Sequence, residues 1–320
     1  MIQNSIFVVN DEPYCLWEVD IRDRNIEFLN GLDPDYFQYL VSIHINADDE
    51  KRASIALRVT FHHAIETLFS LIGAYVQAPD CAYAWIGKCS NLELRKFVQR
   101  IRNMEPGIFT KLTIASVTWE NIAQSVFHTY QPGSQRQADT VKCFSRLWLR
   151  LATEFTDPVQ INEYNSLKHG FRVRSGGFAL VAGVEHEYGV PPPADDMRLV
   201  GKSDYGMSFF KLETLGKDKG NRSLRSRRTS VNWSIERVVL LLQLCYFSIQ
   251  NVIAALRFAN GIAAENCKFL RPESGDDFDR PWQYSPGVTS LNIDHVINDH
   301  DTISLTRQEL LDKISGDKDR

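Results

Sequence analysis

Apolar side chains recur at helical spacing through most of the chain. Ile55, Val59, Leu68, Phe69, Ile72 and Val76 predict a helix from about 48 to 77, opened by Asp48-Asp49-Glu50 and stopped before Pro79. Asp33-Pro34-Asp35 opens a shorter helix over 36–45, with proline in the first turn and acids at the positive end of the dipole. Further helices are predicted at about 91–104, 107–129, 134–156 and 158–170, punctuated by Pro106-Gly107 and Pro132-Gly133. A long apolar helix spans 233–259, with Asn232 as its cap, Glu236 in its first turn and Asn260-Gly261 at its end.

Other stretches read differently. Residues 6–30 suggest short strands or an extended arm. Residues 178–184 and 207–215 are β-rich, with Pro191-Pro192-Pro193 between them. Residues 217–228 read as a polar basic loop, and the chain from Arg271 as an acidic tail ordered only where it docks. No internal repeat appears. The expected fold is mainly α: a helical bundle with a small inserted β-hairpin or sheet. The expected organisation is an acidic arm at 1–47 with short strands and one helix, a bundle at 48–270 with its β insertion at about 177–230, and an acidic tail at 271–320.

Composition narrows the class. The chain has 320 residues, 43% hydrophobic and 24% charged, which excludes a disordered chain, a collagen-like fibre and a disulfide-stapled miniprotein. Net charge is -4 but unevenly placed: -9 over 1–50, +10 over 51–270 and -5 over 271–320. A basic middle attracts phosphate-bearing partners, and acidic ends either screen it or aid solubility. The six cysteines, Cys15, Cys81, Cys89, Cys143, Cys245 and Cys267, include no Cys-x-x-Cys pair, and four lie in apolar surroundings. With no signal-like N-terminus, a reducing cytoplasm is expected. The stretch 238–258 is apolar, but Gln243, Ser248, Gln250 and Asn251 interrupt it, so it reads as a core helix and no membrane is expected.

The densest chemistry lies at Glu163-Tyr164-Asn165-Ser166-Leu167-Lys168-His169-Gly170-Phe171-Arg172-Val173-Arg174. Asn165 and His169 are four apart and share a helical face. Lys168, Arg172 and Arg174 add positive charge, so a proton-moving imidazole would sit beside an amide and several anion-binding cations. Here the chain resembles the HEPN domains, helical bundles whose signature is Arg, four to six residues, then His, commonly with Asn after the Arg and Gly after the His. Asn165, His169 and Gly170 match; Tyr164 stands where the family has arginine. The resemblance implies RNA as partner, a homodimer that brings two motifs together, and in active members a metal-independent endoribonuclease with His169 as acid or base. It also implies a setting in stress response or defence against foreign nucleic acid. The missing arginine would have held the scissile phosphate.

Arg58, His62 and Glu66 are spaced i, i+4, i+8 and line one helical face. Packed against the 158–170 helix, they would support the motif, and Arg58 could supply the arginine that Tyr164 replaces. His62, His63 and Glu66 also raise a metal reading, but the paired carboxylate-x-x-His pattern of di-iron bundles is absent, so no metal and no cofactor is expected. The 217–228 stretch holds six cations in twelve residues, including Arg222, Arg225, Arg227 and Arg228. It reads either as an RNA-binding loop or as a solvated turn. The leading expectation is an HEPN-like protein that binds or cleaves RNA. Its catalytic set would be His169, Asn165 and Arg58, its phosphate contacts Lys168, Arg172, Arg174 and the loop arginines, and its supports His62, Glu66 and Tyr164. The alternative is a non-catalytic helical interaction module in which the His169 motif only finishes a helix.

Overall fold

The computed structural model describes residues 4–169, 172–215, 223–297 and 305–316. A hairpin opens the chain, with β1 (Asn4–Val9) antiparallel to β2 (Glu12–Trp17). Eight helices follow: α1 (Ile21–Gly31), α2 (Asp35–Ile45), α3 (Glu50–Gln77), α4 (Ala82–Lys88), α5 (Asn91–Arg102), α6 (Trp119–Val126), α7 (Gln135–Phe155) and α8 (Pro158–Lys168). Strands β3 (Val173–Ser175), β4 (Ala179–Ala182), β5 (Arg198–Lys202), β6 (Gly206–Leu215) and β7 (Ser223–Asn232) come next. Then come α9 (Ile235–Ala259), β8 (Ser290–Ile297) and α10 (Arg307–Gly316).

The core is built on α3 and α9, which pack against each other. Asp49 begins α3 by accepting from the Arg52 N–H, and Ser234 begins α9 by accepting from the Arg237 N–H. Both helices are long and apolar enough to cross a membrane, but in each 67% of the most apolar window is buried inside the fold. They are core helices, ringed by Phe61, Phe69, Trp85, Phe127, Phe144 and Trp148. Trp148 donates its indole N–H to Ser248 at 3.1 Å, so even this ring leaves no donor unpaired there. Gly73 is required by contact: a Cβ on it would stand 2.2 Å from Cη2 of Trp85. The N-terminal arm is anchored by Phe7 and Val9, which enter the core, and by Gln77, which bonds both N–H and C=O of Asn10 in the hairpin turn.

The fold is mixed α/β, with 54% helix and 18% strand in sheets of two, four and two strands. This overturns the expected mainly α, all-helical bundle with one small hairpin. The reason lies in the basic stretch. Residues 217–222 lie outside the described residues, but 223–228 form the first part of β7, which pairs with β6 over ten residues from Gly206↔Asn232 to Leu215↔Ser223. Charge and small polar residues masked a strand whose side chains alternate across a half-exposed sheet. The acidic tail supplies β8, which pairs with β7, so the sheet order is β3-β6-β7-β8 and the β region is not confined to 177–230. Its root enters the core through Met207, Phe209 and Val231.

Two smaller expectations are corrected. The helix foreseen at 107–129 forms only as α6, capped by Thr118; upstream of it, Thr110 and Lys111 donate to the Val76 carbonyl at the end of α3. Asn232 does not cap α9. It is buried, accepts from the Phe178 N–H at 2.9 Å and donates to the Phe178 and Val288 carbonyls, tying β7 to its neighbours. Cys81, Cys245 and Cys267 are buried, Cys89 and Cys143 half-buried and Cys15 exposed, and all six are free thiols.

Candidate functional site

Helix α8 places the motif. Asp157 caps it by accepting from the N–H groups of Val159 and Gln160, and Pro158 occupies its first turn. Its C-terminus is His169, which leaves helical geometry while its N–H still reaches the Asn165 carbonyl at 3.0 Å. Asn165 is half-buried, and Lys168 and His169 are exposed. Gly170 lies outside the described residues.

The buried side of α8 meets α3 through charge. Arg58 grips Glu163 with two prongs, Nε to Oε1 at 2.6 Å and Nη2 to Oε2 at 3.0 Å, and Nη2 also donates to Gln160 at 3.0 Å. Its guanidinium lies 5.4 Å from the ring centroid of Phe61 and 5.5 Å from that of Trp233. His62, one turn along α3, brings Nε2 to 3.3 Å from Oε1 of Glu163. That nitrogen lies off the direction a hydrogen bond requires and is buried without an aligned partner. Tyr164 stacks on the His62 ring at 5.1 Å, and Lys168 extends over Tyr164 at 5.4 Å.

The clamp fixes its own charge states. Burial alone would raise the Glu163 carboxyl, but the Arg58 guanidinium and His62 outweigh it and hold the group at about 2. Burial lowers His62, reinforced by the Arg58 cation and opposed by Glu163, so the imidazole is neutral at neutral pH. Burial, then the nearby Glu66 carboxylate, push the Tyr164 hydroxyl up to about 12. The sequence-predicted ladder therefore divides. Arg58 and His62 close on Glu163, whereas Glu66 reaches toward Tyr164 and accepts from Asn91 at 3.4 Å.

The clamp is packed rather than open. Beside it lies a cavity of about 10 Å³, lined by His62, Arg95, Glu154, Gln160 and Tyr164, roughly the room of one water molecule. No substrate fits there. Arg58 is 7% exposed, with Nε and Nη2 of its guanidinium engaged by Glu163 and Gln160. His169 is six residues beyond Glu163, about 9 Å along the axis and on another side of the helix. The structure brings Arg58 to α8, as an ion-pair partner of Glu163, and does not bring it to His169. His63 is exposed and meets the edge of Phe37, away from His62, and no three metal-ligating side chains converge among the described residues.

The remaining cations fall into two groups. Arg225 is paired with Glu213, and Arg227 forms a two-pronged pair with Asp294 at 2.7 Å on each prong. Lys168, His169, Arg172, Arg174 and Arg228 are exposed and have no carboxylate partner among the described residues. Arg222 lies outside the described residues. Glu163, the acid at the centre of the clamp, was missed as a site residue; a lone carboxylate on the apolar side of α8 was its only signal. Phe210 and His295 on the sheet were also missed, although period-two alternation in 206–215 carries the first. No family model, curated protein or solved structure matches the chain.

Proposed function

We propose that this protein binds RNA through the exposed cations at the α8–β3 junction and does not cleave it. The observation that carries this reading is the concentration of Lys168, His169, Arg172 and Arg174, all exposed and without carboxylate partners among the described residues. Three cations and an imidazole within seven residues form a phosphate-attracting strip. The resemblance of Asn165, His169 and Gly170 to the HEPN signature supports RNA over DNA. Tyr164 and the occupied Arg58 argue against cleavage, because neither offers His169 a free guanidinium to hold a scissile phosphate. Six free thiols suit a reducing, cytoplasmic setting.

The test is a salt titration of RNA binding. Wild type should lose affinity linearly in log–log form as salt rises, and a Lys168→Glu, Arg172→Glu, Arg174→Glu variant should bind at least tenfold more weakly at low salt. Equal binding by the triple variant would sink the reading. A protein-interaction module is the second reading, favoured by α10, which exposes Leu310, Leu311 and Ile314 along one face.

A further inference from the structure

The four-stranded sheet has two chemically different faces. Cross-strand register assigns every residue to one of them. On the inner face, Met207, Phe209 and Val231 enter the core, and further out Lys211, Arg225 and Arg227 are ion-paired with Glu213 and Asp294. The outer face carries Arg174 opposite Ser208, Phe210 between Arg228 and the strand edge, Ile293 beyond Arg228, and Leu212 in line with Ser226 and His295. Both carboxylates of the four strands, Glu213 and Asp294, lie on the inner face. The outer face holds none.

That outer face is open. Phe210 is 69% exposed, Leu212 62% and Ile293 47%, and Arg174, Arg228 and His295 are exposed around them. An isolated exposed apolar residue needs no explanation, but three on one sheet face framed by two arginines with no carboxylate partner among the described residues do. A purely apolar partner would leave the two arginines without counter-charge. An acidic partner without flat apolar groups would leave Phe210 uncovered. The occupant must offer both negative charge and planar faces.

We infer that the outer face of this sheet is a platform for unpaired RNA bases: a base stacks on Phe210 while Arg174 and Arg228 hold the flanking phosphates. The inference rests on the RNA reading above and adds the class of RNA, single-stranded rather than duplex. Arg174 and Arg228 lie two strand spacings and two residues apart, about 12 Å between backbones, so both reach one extended strand crossing Phe210. Duplex RNA keeps its bases stacked on one another and withholds them from the platform. Arg174 also belongs to the α8–β3 strip, so the strip leads the backbone onto the sheet.

The experiment uses the full chain and labelled RNA of about 12 nucleotides in three forms, single-stranded oligo(U), an abasic strand of equal length, and a duplex. Oligo(U) should bind roughly tenfold more tightly than either of the others. Phe210→Ala should remove most of that preference and leave the abasic affinity unchanged. Arg228→Glu should weaken oligo(U) and the abasic strand alike. Phe210 is largely exposed, so its alanine variant should melt within a few degrees of wild type, which shows that a lost preference is not lost folding. Equal binding of all three forms, or an unchanged preference in Phe210→Ala, overturns the platform and leaves RNA binding standing. No binding of any form overturns both.

Discussion

Arg58 and Glu163 form a buried two-pronged ion pair across α3 and α8, with side chains 9% and 1% exposed. The pair engages the guanidinium that the sequence offered in place of the arginine Tyr164 replaces. The arginine that could replace the missing one is consumed in holding α8 to the core, and the histidine it would serve stands at the open end of that helix. The position of Arg58 is thus structural, and the solvent-facing chemistry lies with the cations beyond it.

Removing one partner of this pair should be costly. Glu163→Gln leaves a buried guanidinium facing a neutral amide and should destabilise the fold by about 3–5 kcal/mol in urea unfolding. The double replacement Arg58→Met, Glu163→Leu should recover most of that loss, because it removes both charges. A double variant as unstable as the single one would show that the pair does more than neutralise itself.

Stability should fall with acidity in two stages. The folded His62 is lowered from its ordinary value, so the unfolded chain takes up a proton first, and stability is lost as pH drops below about 6.5. Glu163, held at about 2 when folded, contributes stability above its ordinary carboxylate range that is lost as pH falls from about 4.5 toward 2. Urea melts at several pH values should show both slopes. His62→Gln should flatten the first and, because His62 also helps hold Glu163 low, weaken the second.

Paired and unpaired arginines should respond differently to salt. Arg172→Ala and Arg174→Ala should each reduce the salt slope of RNA binding by about one, the signature of a lost phosphate contact. Arg227→Ala should leave the slope nearly unchanged, because Asp294 already neutralises that cation. Equal changes in all three would mean that the Asp294 pair opens on binding.

The contact of Gly73 with Trp85 should be intolerant of growth. Gly73→Ala places a methyl carbon 2.2 Å from the indole and should cost about 1–3 kcal/mol through overpacking. Thermal unfolding beside the wild type reads it directly.

Sequence pattern located the long helices well, because Asp49, Pro79 and Gly261 mark ends that packing then respects. It also placed Arg58, His62 and Glu66 on one helical face. It could not show that Glu163 would face them, since a carboxylate on α8 has no periodic signal for a partner 105 residues away. The sheet was the larger miss. Strand β7 is rich in arginine and serine and shows no apolar alternation, and β8, which alternates at Leu291 and Ile293, is hidden by the acidic tail around it. Pairing with β6 holds them there, and that is a long-range property. The open outer face of the sheet became visible only when register separated Arg228 from Arg227, two neighbours with opposite surroundings.

We propose that this protein holds RNA without cutting it. The direct measurement incubates single-stranded RNA with purified protein in EDTA and follows binding and strand integrity together, for wild type and His169→Ala. Salt-sensitive binding, intact RNA in both samples, and an affinity for His169→Ala within about threefold of wild type at neutral pH are expected. Strand cleavage by wild type that disappears in His169→Ala, or no binding at all, would contradict it.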